Sequence, residues 1–170
     1  MKILDLGCGK RKLGGSYGVD AIRHKGVDLV WDLNKPLPKK LYEEFDIVHH
    51  HCVLDHLGNP FLFLEECYKC LKNDGKLVFV IDNADYWRFH FYFGNYHSHV
   101  WERDAPNNPE LHHKMMFQMK HLVKMLNVIG FEVVKTEYIR DYKSFRRGHI
   151  DYLMPKRLGC NLMRIEAVKI

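Results

Sequence analysis

The chain has 170 residues, 46% hydrophobic and 28% charged, with 12 Gly and 6 Pro; that suits one well-cored domain and excludes a disordered, collagen-like or low-complexity protein. Its longest apolar run, around residues 77–81, falls far short of the roughly 20 residues of a membrane-spanning helix, and Asp5 interrupts the start before a signal-type apolar stretch can build up, so we expect a cytoplasmic protein with no membrane contact. The formal charge of +5 is concentrated in residues 140–157, where Arg140, Lys143, Arg146, Arg147, Lys156 and Arg157 outweigh Asp141 and Asp151; such a stretch is a footprint for phosphate or another anion, or else a solvated hairpin tip.

In chain order, residues 2–6 read as a buried strand that enters the tight turn Gly7-Cys8-Gly9. Tyr17–Asp20 and residues 27–32 are two further short strands, each finishing on a carboxylate, and Phe45–His51 is a fourth. Asn59 before Pro60 starts a helix on which Phe61, Leu64, Tyr68 and Leu71 recur at helical spacing, with Gly75 as its stop. Residues 76–81 form the next buried strand. Strands alternating with helices imply an α/β fold with a parallel sheet.

Residues 83–117 break this rhythm with an insertion rich in histidine and aromatics, including Trp87, Tyr92, Tyr96 and Trp101. It is too long for a plain connection. Met119, Leu122, Val123, Leu126 and Ile129 then form one face of a helix stopped by Gly130, and Phe131–Ile139 and residues 161–170 alternate as two late strands. With no internal repeat and no linker, we expect a single domain over residues 1–170. The five cysteines are an odd number on a chain that needs no covalent staples, and Cys67 and Cys70 fall inside a helix with no second thiol pair at zinc-site spacing, so both read as core. His97, His99, His112 and His113 lack a nearby carboxylate or cysteine pattern, and we read them as a lid over substrate instead of a metal site.

Glycines at the end of a first strand allow a ligand to touch backbone. Here they are followed at set distances by Asp20, by Asp32 and by a fourth strand running into His51-Cys52-Val53-Leu54-Asp55-His56-Leu57, all of which a doubly wound sheet places at its carboxyl edge. A dinucleotide site would need GxGxxG and an acid about 20 residues on; this chain has GCGKRK and Asp20. The sequence resembles the small class I S-adenosylmethionine-dependent methyltransferases, in the patterns LDLGCG, VD, D-x-x-x-PLP, FD-x-x-x-x-x-x-VLDHL and a helix ending LKNDG. The resemblance covers residues 2–82 well and the rest loosely.

It implies a three-layer, doubly wound, mostly parallel sheet of seven strands with the insertion after strand 5, and S-adenosylmethionine as cofactor. By position, Gly7, Cys8 and Gly9 would lie against its methionine part, Asp5 would steady its ammonium, Asp20 would accept from the ribose hydroxyls, Asp32 and Leu33 would flank the adenine, and the backbone at His51 and Cys52 would close over the methionine end. Methyl transfer needs alignment and dryness more than covalent help, and a base only where the acceptor keeps its proton; His51, Asp55 and His56 are the candidates, His51 first. We expect a small-molecule or glycan acceptor, including one carrying phosphate. The alternatives are an RNA or DNA methyltransferase using residues 140–157 and a catalytically silent binding module. HCVL stands where adenine or glutamine N-methyltransferases often carry NPPY, which argues against those. Arg11 replaces the family's third glycine, and only ten residues lie between Gly9 and Asp20, so the usual first helix must be very short or missing.

Overall fold

The computed structural model describes residues 1–87, 114–140 and 150–170. Seven strands form one sheet: β1 (Ile3–Leu6), β2 (Tyr17–Asp20), β3 (Leu29–Val30), β4 (Phe45–His51), β5 (Leu71–Asp82), β6 (Phe131–Ile139) and β7 (Leu162–Lys169). Their order is β3-β2-β1-β4-β5-β7-β6, with β7 antiparallel to both neighbours and the other pairs parallel. The chain builds outward from β1 to β3, then returns to start β4 on the other side of β1. That reversal opens a crevice at the carboxyl ends of β1 and β4.

Two eleven-residue helices, α1 (Pro60–Cys70) and α2 (Met119–Ile129), cover one sheet face. Leu4, Leu6, Val48, Leu77, Phe79, Leu122 and Leu126 are fully buried between the layers, each contributing about 1.5–3 kcal/mol of apolar burial. Asn59 caps α1 by accepting from the Leu62 amide at 3.0 Å, with Pro60 in the first turn. The helix closes at Cys70, earlier than the Gly75 stop read from the sequence, and β5 begins at once; Asp74, with φ 60°, makes the left-handed turn, while a Cβ on Gly75 would sit 2.8 Å from the Lys72 carbonyl oxygen. Gly130 does end α2 in the left-handed conformation, φ 114°.

The other face is built differently. Ten residues join β1 to β2, fewer than the dozen or so that a crossover helix requires, and residues 7–16 contain no helix. Instead the loop lies over β1 and β2: the Leu13 amide donates to Asp5, and the Lys12 side chain and Cys8 Sγ occupy the space where Gly18 lacks a Cβ. Two four-residue helices, α3 (Ile150–Leu153) and α4 (Lys156–Gly159), precede β7. Among the described residues no helix is long and apolar enough to cross a membrane.

Candidate active site

The turn after β1 lies at the crevice. Gly7 and Cys8 both donate to the Val19 carbonyl, at 2.8 and 3.3 Å, and Gly7 and Gly9 take φ of 66° and 52°, which side chains disfavour. Their surroundings differ. A Cβ on Gly7 would lie 2.3 Å from Val53 Cγ2, so Gly7 lets the turn pack on the segment after β4; a Cβ on Gly9 would meet nothing within 4 Å among the described residues. The open side of Gly9 is a candidate cradle, able to admit a ligand's close contact with backbone.

The strand-end acids close around this cradle. Asp20 Oδ2 accepts from the Gly9 amide at 2.7 Å and Oδ1 from the Ile22 amide at 2.8 Å, which fixes the carboxylate beside the turn. Asp32 accepts from the backbone and side chain of Asn34, whose own Oδ1 takes the Gly58 amide at 2.8 Å, linking the end of β3 to the loop after β4. Those hydrogen bonds, the backbone one first, hold the Asp32 carboxyl below its ordinary range, helped by Lys35. Leu33 is buried beside them. Asp28, which the sequence reading passed over, accepts from the Gly18 amide and from Lys12 Nζ at 2.7 and 2.8 Å. Burial, with the charges of Asp20 and Asp5, pushes the Cys8 thiol up to about 11, so Cys8 is no nucleophile.

A model of the methyltransferase domain family matches residues 1–136, four fifths of the sequence, across this whole arrangement of turn, acids and strands. The chain belongs to the class I S-adenosylmethionine-dependent methyltransferases. Solved structures agree on the fold. A S-adenosylmethionine-dependent methyltransferase from Thermotoga maritima superposes with a TM-score of 0.70 at 18% identity, covering 99% of this chain and 82% of that one. One from Archaeoglobus fulgidus gives 0.69 at 20% identity, over 99% and 86%. A chain of the Haloferax volcanii complex between the Trm112 methyltransferase activator and a methyltransferase gives 0.64 at 16%, over 98% and 81%. No curated protein sequence matches.

The second group of candidate residues in this methyltransferase stands where β4 and β5 end. His51 closes β4, exposed, and Cys52 follows with φ 50° and its amide donated to Val80 O at 2.8 Å. Leu54–His56 is a single 3-10 turn that buries Asp55, and His56 Nε2 lies 3.9 Å from Asp55 Oδ2. The chain returning from the insertion lands here, the Lys114 and Met115 amides donating to the Asp55 carbonyl at 2.7 and 3.3 Å.

Asp82, the last residue of β5, was not among the residues singled out from the sequence. Since His51 pairs with Val80 and residues two apart share a sheet face, His51 and Asp82 lie on one face. Burial pushes the Asp55 carboxyl up to about 6; burial and then the charge of Asp55 push Asp82 up to about 7. Two carboxyls with raised affinity for protons thus sit beside the crevice. The signal for Asp82 was a position: an acid ending an otherwise apolar parallel strand.

Two members of the basic segment are committed within the fold. Arg157 donates through Nε and Nη2 to Asp85 at 2.8 and 3.1 Å, and Gln118 joins the same carboxylate at 2.6 Å. Arg140 donates to the carbonyls of Asp151 and Gly159 at 2.8 and 3.2 Å, while the Asp151 carboxylate takes the Trp87 indole N–H. These contacts tie the connection after β6 to the base of the insertion. Lys143, Arg146 and Arg147, and His97, His99, Trp101, His112 and His113 of the expected lid, lie outside the described residues.

Proposed function

We propose that this methyltransferase acts on a small-molecule or glycan acceptor, and that the site residues read from the sequence serve it in the roles the resemblance implies. The observation that carries the reading is Gly9, open on its Cβ side and hydrogen-bonded to the strand-end acid Asp20. Gly7, Cys8 and Gly9 bound the methionine end with the backbone of His51 and Cys52; Asp20, already oriented by two amides, accepts from the ribose hydroxyls with its remaining lone pairs; Asp32 and Leu33 border the adenine. S-adenosylmethionine bound there supplies a methyl group on a sulfonium.

The protein's part is then to align the acceptor, exclude water and take a proton from it where it has one to lose. Asp55 and Asp82 are suited to hold that proton, since burial raises the proton affinity of both, with His51 and His56 beside them. An RNA or DNA acceptor is the second reading. It draws on the charge of residues 140–157; β6, running parallel to β5, ends at the carboxyl edge of the sheet just before them, but Arg140 and Arg157 are engaged in internal contacts, which favours the smaller acceptor.

The test has two steps. S-adenosylhomocysteine at a hundredfold over its dissociation constant should add about 2.7 kcal/mol of stability, a visible melting shift that NAD does not produce. A radiolabelled methyl screen over glycans, small metabolites and RNA then identifies the acceptor; labelling of RNA alone would reject the small-acceptor reading.

A further inference from the structure

The β1–β2 connection supports a glycine turn without the helix that ordinarily follows it, so something else must hold it. Asp5 is the centre of what does. Its side chain is 4% exposed; Oδ1 lies 2.8 Å from His49 Nδ1 and Oδ2 accepts from the Leu13 amide at 2.9 Å. The two residues face each other across the β1–β4 register, Asp5 opposite His49. A carboxylate so enclosed, with both oxygens engaged by the fold, is placed to hold the loop.

We infer that Asp5 and His49 form a staple that replaces the missing helix, and that His49 is a positioning residue for the cofactor. His49 donates through Nδ1–H and fixes the Asp5 carboxylate; Asp5 in turn holds the Leu13 amide and with it the loop 7–16, whose start is the Gly7–Gly9 turn. Lys12, carried on the same loop, reaches Asp28, and Asp28 holds the Gly18 amide on β2. The turn is thereby tied on both sides to strands already packed in the core. His49 acts only through Asp5 and touches no reacting atom. The inference rests on the proposed placement of the cofactor at Gly7 and Gly9.

The experiment compares wild type, His49→Asn and His49→Leu. The Asn amide nitrogen stands where Nδ1 does and can donate to Asp5; Leu cannot. Loss of a charge-assisted hydrogen bond at one remove should weaken S-adenosylhomocysteine about tenfold in His49→Leu, with much of the affinity recovered in His49→Asn and with the change appearing in the KM for S-adenosylmethionine far more than in kcat. Hydrogen exchange gives a reading that needs no ligand: the Leu13 amide should exchange faster in His49→Leu, while the amides of α1 keep their protection. Wild-type affinity and unchanged Leu13 protection in His49→Leu would overturn the staple, as would equal losses in both variants. If wild type failed to bind S-adenosylhomocysteine while Leu13 still lost protection, the staple would stand and the cofactor placement would fall.

Discussion

The Gly9 amide donates to Asp20 Oδ2 across 2.7 Å, so the second glycine of the turn and the acid that ends β2 form one hydrogen-bonded unit. Replacing Asp20 by Ala removes the acceptor for two amides and, in the proposed site, for the ribose hydroxyls. We expect the affinity for S-adenosylhomocysteine to fall by about 1–3 kcal/mol, measured by calorimetric titration. Unchanged affinity would remove Asp20 from the site.

The two glycines separate folding from binding. Gly7→Ala places a methyl group 2.3 Å from Val53 Cγ2 at φ 66°, and we expect it to lose about 2–4 kcal/mol of stability through strain and overpacking. Gly9→Ala meets no atom of the described residues within 4 Å and should cost only about 1–2 kcal/mol for its positive φ, yet its methyl group points into the proposed cradle and should abolish cofactor binding. Denaturant melts paired with titrations decide this; a Gly9→Ala protein that binds normally would show that the cradle lies elsewhere.

His50 is fully buried, stacked at 4.5 Å on Phe79 and edge-on to Phe63 at 5.2 Å, with neither ring nitrogen hydrogen-bonded among the described residues. Burial first, then His49 and His51, holds its pKa well below 6.5. The unfolded chain therefore binds a proton that the folded one refuses, and stability should fall as pH drops below 6.5, by about 1.4 kcal/mol per pH unit from this group. His50→Phe should remove that slope in urea titrations at pH 5 and 7.5. An unchanged slope would assign the acid sensitivity to other groups.

For Asp55 and Asp82 the sign is reversed. Their carboxyls are raised from 3.8 to about 6 and about 7, so the folded state keeps protons that the unfolded chain has released, and stability should decline as pH rises through that window. Asp82→Asn should be more stabilising at pH 7.5 than at pH 4. If this pair takes the acceptor's proton, the transfer rate should rise between about pH 6 and 7 in wild type, and Asp82→Asn should flatten that rise. A pH profile identical in the two proteins would exclude Asp82 from the chemistry.

Much of this was legible locally. The glycine turn, the acids at the ends of β2 and after β3, the Asn59-Pro60 helix start and the Gly130 stop each act within a few residues, and each stands where the sequence indicated. Chain distance limits the rest. Asp5 and His49 are 44 residues apart, as Asp85 and Arg157 are 72, and only the sheet order brings them together. Arg140 and Arg157 thus read as free charge in the sequence and serve as internal donors in the fold. The helix end moved from Gly75 to Cys70 because β5 starts immediately after α1, a tertiary demand that no turn residue announces.

The central claim, that Gly9, Asp20 and Asp32 frame a S-adenosylmethionine site, is tested most directly by calorimetric titration of the full chain with S-adenosylhomocysteine and, separately, with NAD. One equivalent of S-adenosylhomocysteine should bind with saturable heat, and NAD should give none; tight NAD binding without heat from S-adenosylhomocysteine would contradict the account.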